Sequence, residues 1–255
     1  MIESKGHVNP GDPEVWFRRF TIGLDDLVRH VWVVRWSIPA GETRPQRVLA
    51  YPAGNIVLMP GHCRLYGPDP SVDVRELSGE GWAVGLLLRP AALPLLTSTP
   101  PDRLVASSEP ITPPPGALDL DDEAALTESL ATWLADAAGR IDSSGRLLND
   151  VCAEAENDAS LTRVDQLAEH FDLSTRTLER LVARGLGVSP KWLLDCRRLQ
   201  EAATVLFTAP GSDLAGLSAD LGYADQAHFT RHYRRVLGET PDATRRAGRA
   251  ARRSH

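Results

Sequence analysis

The last third of the chain repeats one plan twice, and this repeat constrains the fold more than any other feature of the sequence. Between Val164 and Arg180, Val164, Leu167, Ala168 and Phe171 form an apolar stripe at helical spacing. Asp172 then stands in a turn, Ser174 is suited to cap a second helix, and Leu178, Leu181 and Val182 face inward on it. About fifty residues on, Leu214, Leu217 and Leu221 make the first stripe, Gly222 the turn and Asp225 the cap, with Tyr223, Phe229 and Tyr233 directed into a core. Each stretch reads as a helix–turn–helix. Between them, Ser189-Pro190 opens one long helix with the stripe Trp192, Leu193, Cys196, Leu199, Ala203 and Leu206. A single unit of this kind is common in helical proteins. Two on a shared helix predict an all-α domain that holds two second helices at a fixed separation.

The residues left on the outside of those second helices suit DNA. In the first unit they are Thr175, Arg176, Glu179 and Arg180. Arginine pairs two-pronged with guanine, and glutamate accepts from cytosine N4. In the second they are Gln226, Ala227, Thr230 and Arg231. Glutamine suits adenine, while threonine and alanine suit the thymine methyl. Arg234 and Arg235 are placed for phosphate, and His228 reads as structural. Two heads about 34 Å apart can enter successive major-groove segments on one face of DNA. A solvated charged helix face is the competing reading of either set taken alone.

Several segments together form a multi-part signature: Ser174-x-x-x-Leu178-x-Arg180, Gly187-Val188-Ser189-Pro190, Arg198-Leu199-x-x-Ala202, Leu221-Gly222-Tyr223-x-Asp225-Gln226-x-His228-Phe229-x-Arg231-x-Tyr233, and Gly238-x-x-Pro241. This set resembles the DNA-binding domain of the AraC/XylS family of bacterial transcription regulators. The resemblance covers about a third of the chain. It implies reading helices at 175–185 and 226–236, binding to double-stranded promoter DNA, and RNA polymerase as a partner if the protein activates. Two departures fall in the first unit. The family usually has glycine where Asp172 stands, and often phenylalanine where Val182 stands. Aspartate tolerates left-handed backbone better than most residues, whereas valine fills less core. The Gln226–Arg231 face of the second unit is therefore expected to carry the more dependable part of the sequence readout.

The front of the chain has a different texture. Residues 30–38, 48–51, 55–59, 63–66, 72–77 and 82–88 read as short strands separated by Pro/Gly turns, which predicts a small barrel or sandwich. A short helix is expected after Pro90, an irregular proline-rich connector over 98–116, and helices from near Asp121 and over 147–157. These two helices either pack on the front domain or form a dimer seam. The segments 46–52, 55–58 and 85–90 are similar to a cupin-like sensor domain. That likeness implies a small-molecule effector pocket, for which Trp32, Trp36, Tyr51, Tyr66 and Trp82 are candidates, with Arg89 as an anion anchor. Cupin enzymes hold metal through His-x-His. None occurs here, so neither a metal nor a cofactor is expected.

The expected fold class is α+β. A β-rich cupin-like sensor domain spans 1–116, a helical connector 117–159, a double helix–turn–helix domain 160–248 and a basic tail 249–255. Charge divides the same way: residues 160–255 hold 15 Arg/Lys against 11 Asp/Glu, and residues 1–159 hold 13 against 23. An acidic front and a basic back imply different partners. Three scattered cysteines offer no disulfide framework, and no apolar run spans a bilayer or opens as a signal peptide, so a cytoplasmic protein with no membrane partner is expected. The reading is of a non-enzymatic transcription regulator, either monomeric or a homodimer. The alternatives are an enzyme in the front barrel targeted to DNA by the back domain, and a constitutive DNA-binding protein without effector. No Gly-x-Ser-x-Gly and no Gly-rich phosphate loop with lysine supports the enzyme.

Overall fold

The structure, a computed structural model, describes residues 14–48, 52–69 and 73–253. Strands β1 (Val15–Phe20), β2 (Val28–Ser37), β3 (Arg44–Val48), β4 (Asn55–Met59), β5 (His62–Tyr66), β6 (Asp73–Leu77), β7 (Glu80–Leu88) and β8 (Ser108–Pro110) come first. Six form one antiparallel sheet in the order β1-β2-β7-β4-β5-β8, and β3 pairs with β6 as a separate ribbon. One face of the large sheet carries Phe20, Val31, Val33, Val84, Leu86, Ile56, Leu58 and Leu65, all buried. Helix α3 (Glu123–Gly139) contributes Leu126, Leu130, Leu134 and Ala137 to the same core. Their spacing of three and four places them on one stripe, and Asp122 caps the helix by accepting from the Ala124 and Ala125 amides.

The expected strands at 30–38, 55–59, 63–66 and 82–88 are present with ends shifted by one or two residues. β3 lies earlier than the expected 48–51, and residues 49–51 and 72 fall outside the described residues. The connector is more structured than its prolines suggest. It holds α2 (Pro101–Leu104), started by Pro100-Pro101, and the three-residue edge strand β8. Before it, a 3-10 turn at Pro90–Ala92 runs into α1 (Leu93–Leu96).

Helix α4 (Ser143–Asn157) departs from α3 and belongs to a second core. Its Leu148, Val151, Cys152 and Ala155 pack with α5 (Val164–His170), α6 (Thr175–Leu186) and the start of α7 (Pro190–Thr208). A third core joins the rest of α7 to α8 (Leu214–Asp220) and α9 (Gln226–Leu237). Helix α10 (Pro241–Arg253) lies along α7, where Gly248 sits so close to the Phe207 carbonyl that a Cβ would stand 2.1 Å from it. The segment expected as a basic tail is thus helical to Arg253, and Gly248 lets the helix dock. The architecture is α+β.

Candidate nucleic-acid interface

The two expected units superimpose in their hydrogen bonding. In the first, the Leu173 amide donates to the Ala168 carbonyl (2.9 Å) and Asp172 to Glu169 (3.1 Å). In the second, Tyr223 donates to Ser218 (2.9 Å) and Gly222 to Ala219 (2.8 Å), each fifty positions on. Both turns need left-handed backbone at the same place: Asp172 has φ +53° and Gly222 φ +72°. Aspartate accepts that conformation at some cost, and glycine freely. The caps also match. The Ser174 hydroxyl accepts from the Thr177 amide (3.1 Å), and the Asp225 carboxylate accepts from the His228 amide (2.6 Å). Both second helices have twelve residues and end on a left-handed glycine, Gly187 and Gly238.

On α6, Thr175, Arg176, Glu179 and Arg180 are exposed, while Leu178 and Val182 are fully buried. On α9, Gln226, Ala227, Arg231, Arg234 and Arg235 are exposed and Thr230 is half-buried, while Phe229 and Tyr233 are fully buried. None of these outward side chains makes a hydrogen bond or ion pair with another described residue. The His228 ring leans on Tyr223, with centroids 5.5 Å apart. Each reading helix therefore offers an N-terminal face of donors and acceptors that the protein itself leaves unpaired.

Two neighbouring arginines within α7 tie the units down. Arg197 donates to the Leu161 carbonyl just ahead of α5 (3.1 Å), and Arg198 donates to the Leu221 carbonyl in the turn of the second unit (2.5 Å). Both are 8% exposed. Arg198 also pairs with Asp195 (3.2 Å) and lies 4.0 Å over the Tyr223 ring. The Tyr223 hydroxyl meets His232 Nδ1 at 3.0 Å. Burial pushes the Tyr223 hydroxyl up to about 12 and lowers the His232 ring from its ordinary value. The signature included Arg198 only as a matched letter. The available signal for its role was a charge inside an apolar stripe, which demands a buried partner.

Residues 167–247 match the family model for a helix-turn-helix domain. Over 77 residues the chain is 34% identical to the HTH-type transcriptional activator RhaS of Escherichia coli, which is 30% of this chain and 27% of that protein. Over 83 residues it is 28% identical to the HTH-type transcriptional regulator ExsA of Pseudomonas aeruginosa, 32% of this chain and 30% of that one. Residues 167–247 form a helix–turn–helix domain similar to those of these transcription regulators. The chain spans only 27–30% of the length of these curated relatives. Residues 21–110 match a model described as a domain of unknown function (DUF6597). Among solved structures, a transcriptional regulator with an AraC-type DNA-binding domain from Chromobacterium violaceum is 27% identical over 38% of this chain and 87% of that one, with TM-score 0.34. ToxT from Vibrio cholerae is 10% identical over 91% of this chain and 98% of that one, with TM-score 0.45.

In front of the helix–turn–helix domain, the expected effector residues do not converge on one pocket. Trp32, Trp36 and Tyr66 share the sheet face opposite α3. Trp82 is on the α3 side, in an open cleft of about 470 Å³ with Arg35 and Leu118. Arg89 sits at the seam with α4, where its Nε donates to the Asp25 carbonyl (3.0 Å), and the cleft there measures only about 20 Å³. Tyr51 lies outside the described residues. Side chains on opposite faces of one sheet cannot line one cavity, and the β2–β7 register separates Trp82 from Trp32 and Trp36. Among the described residues no group of three or more His, Cys, Asp or Glu side chains is placed to hold a metal, and no helix is long and apolar enough to cross a membrane. Burial pushes the Cys63 thiol up to about 11 and the Cys152 and Cys196 thiols higher.

The first helix–turn–helix unit is also wired to the front domain. The Asn149 amide on α4 donates to the Asp26 carbonyl (2.8 Å), and its oxygen accepts from the Ala91 amide (2.9 Å). Arg29 grips Glu156 at 2.6 and 3.0 Å. At the end of α6, a Cβ on Gly187 would stand 2.4 Å from the backbone of Pro101 and Asp102 in α2.

Proposed function

We propose that this chain is a sequence-specific, DNA-binding transcription regulator of the AraC type, controlled by a small molecule or partner at its front domain. The observation that carries the reading is the pair of unpaired outward faces, Thr175–Arg180 and Gln226–Arg231, on matched helices joined by α7. Arg176, Arg180 and Arg231 supply guanine or phosphate contacts, Gln226 an adenine contact, and Arg234 and Arg235 phosphate contacts. Double-stranded promoter DNA is the primary partner, with RNA polymerase added if the protein activates. The protein acts in the cytoplasm and is not an enzyme. Helix α4 supports the regulatory part, because one of its faces lies in the core of the first reading unit while the other holds the front domain. A homodimer would add a second pair of heads.

The test is binding of the full chain to promoter fragments and unrelated duplexes across salt concentrations. The expected result is tight binding to a sequence subset, with log K falling linearly in log salt by about 0.9 for each phosphate contacted. Equal affinity for every duplex, or affinity that ignores salt, contradicts the proposal.

A further inference from the structure

The sheet face opposite α3 carries a site of its own. Register and alternation set Arg19, Trp32, Gly85, Val57 and Arg64 in one row across five strands, and His30, Leu87, Asn55 and Tyr66 in the next. Trp32 lies against Gly85 so closely that a Cβ there would stand 1.8 Å from the indole Cε2, and Trp36 bears on Gly81 in the same way. The two glycines thus create the room in which the indoles rest on backbone, and both rings stay half-buried. The bland account, aromatic cover for strand glycines, explains Trp32 and Trp36. It does not explain the polar groups beside them.

Arg19 Nε and Asn55 Oδ1 are both buried without a hydrogen-bond partner among the described residues. Arg19 has no acidic partner among the described residues, and its guanidinium sits 4.9 Å from the Phe17 ring centroid. His30, 9% exposed, makes no side-chain hydrogen bond among the described residues. Burial, reinforced by Arg19, Arg29 and Arg89, holds His30 down to about 4, so it is neutral at neutral pH. Neither row contains Asp or Glu. Arg64 at the far end of the first row is held by the Ser108 hydroxyl and carbonyl, whereas Arg19 is left without such a bond among the described residues. A face with that cation, one buried acceptor and an apolar floor is complementary to a molecule with one anion, one donor and an apolar body.

We propose that this face binds a small organic anion whose carboxylate pairs with Arg19 beside His30, whose flat apolar body lies over Leu87 against Trp32, and whose hydrogen-bond donor reaches Asn55 Oδ1. His30 and Asn55 are two strand spacings apart, so the molecule spans about 10 Å. The inference deepens the effector reading above and rests on it. Arg29, adjacent to His30 in the chain, grips Glu156 of α4, which puts the anion end of the site next to the seam with the first reading unit.

The experiment titrates the full chain, without DNA, with 3-(4-hydroxyphenyl)propionate, its amide and 3-phenylpropionate, followed by calorimetry. The acid is expected to bind about tenfold or more tightly than the amide, since only the acid offers a charged partner to the half-buried Arg19. Removing the hydroxyl should weaken binding less. Arg19→Gln should abolish the preference for acid over amide, and Asn55→Leu the preference for the hydroxyl. If either variant fails to fold, the three-ligand comparison on the unaltered protein decides alone. Equal binding of acid and amide, or no binding of the acid at millimolar concentration, overturns the proposal. Because DNA is absent, failure of DNA recognition leaves this result standing, and loss of the acid preference leaves DNA recognition standing.

Discussion

In the first helix–turn–helix unit the two inward positions of the reading helix are Leu178 and Val182; in the second they are Phe229 and Tyr233. The smaller pair would leave space if each unit had to fill its own core. It does not, because α4 adds Leu148, Val151, Cys152 and Ala155 to the first core, whereas the apolar residues of the second come from α7, α8, α9 and the turn between the last two. The second unit closes itself with edge-to-face aromatics, Tyr223, Phe229 and Tyr233, and with the Tyr233–Thr244 hydroxyl contact (2.7 Å) to α10. The closing glycines differ in the same sense. Gly187 presses on the α2 backbone, whereas Gly238 has nothing within 4 Å of its would-be Cβ. The same backbone plan is therefore supported in two ways: one unit is built into the front domain, and the other is held by α7, α10 and its own aromatic core.

The largest expected effect separates the two cores. Phe229→Ala should destabilise the second unit by about 3–5 kcal/mol, leaving the front domain and first unit to unfold in a later, separate transition. Leu178→Ala should instead lower the transition they share. Coincident unfolding of all regions in both variants would break the comparison. Next comes the glycine pair. Both Gly187→Ala and Gly238→Ala carry the left-handed backbone penalty, but only the first meets the α2 backbone, so it should cost about 1–3 kcal/mol more in chemical denaturation. Equal losses would remove the seam from the account.

A smaller effect concerns readout. Arg231→Ala should weaken binding by about 1–3 kcal/mol and relax preference at one base position. Arg176→Ala should do so at a different position and by less. Uniform loss over all sequences would make Arg231 a phosphate contact. The smallest effect is acid sensitivity. His30 titrates near 4 in the folded chain and near 6.5 unfolded, so the unfolded state binds the extra proton between those values. Stability owed to the neutral ring is present above about pH 6.5 and lost as pH falls toward 4. Urea midpoints over that range should fall less steeply in His30→Gln, and only in the transition of the front domain and first unit.

Much of the helical domain was legible because its signals are local. Caps at Ser174 and Asp225, turns at Asp172 and Gly222, and stripes at three and four all act within a few residues. The strands β2, β4, β5 and β7 were legible from β-branched runs between turns. β1 was not, because its α3-side positions hold Trp16 and Arg18, which bonds the Leu120 carbonyl and Glu123 from another element. Edge strand β8 is only three residues long and includes a proline. The sharing of α4 between two cores, the burial of Arg197 and Arg198, and the docking of Gly187 and Gly248 depend on segments far away in the chain. Alternation read without register also grouped Trp82 with tryptophans that face the other way.

The most direct test of the central claim, that one chain presents two unequal reading heads, is a footprint of the full protein on DNA selected from random sequence. Two protected segments about one helical turn apart are predicted, with Arg231→Ala erasing one and Arg176→Ala weakening the other. A single protected segment, lost with one substitution and indifferent to the other, would contradict it.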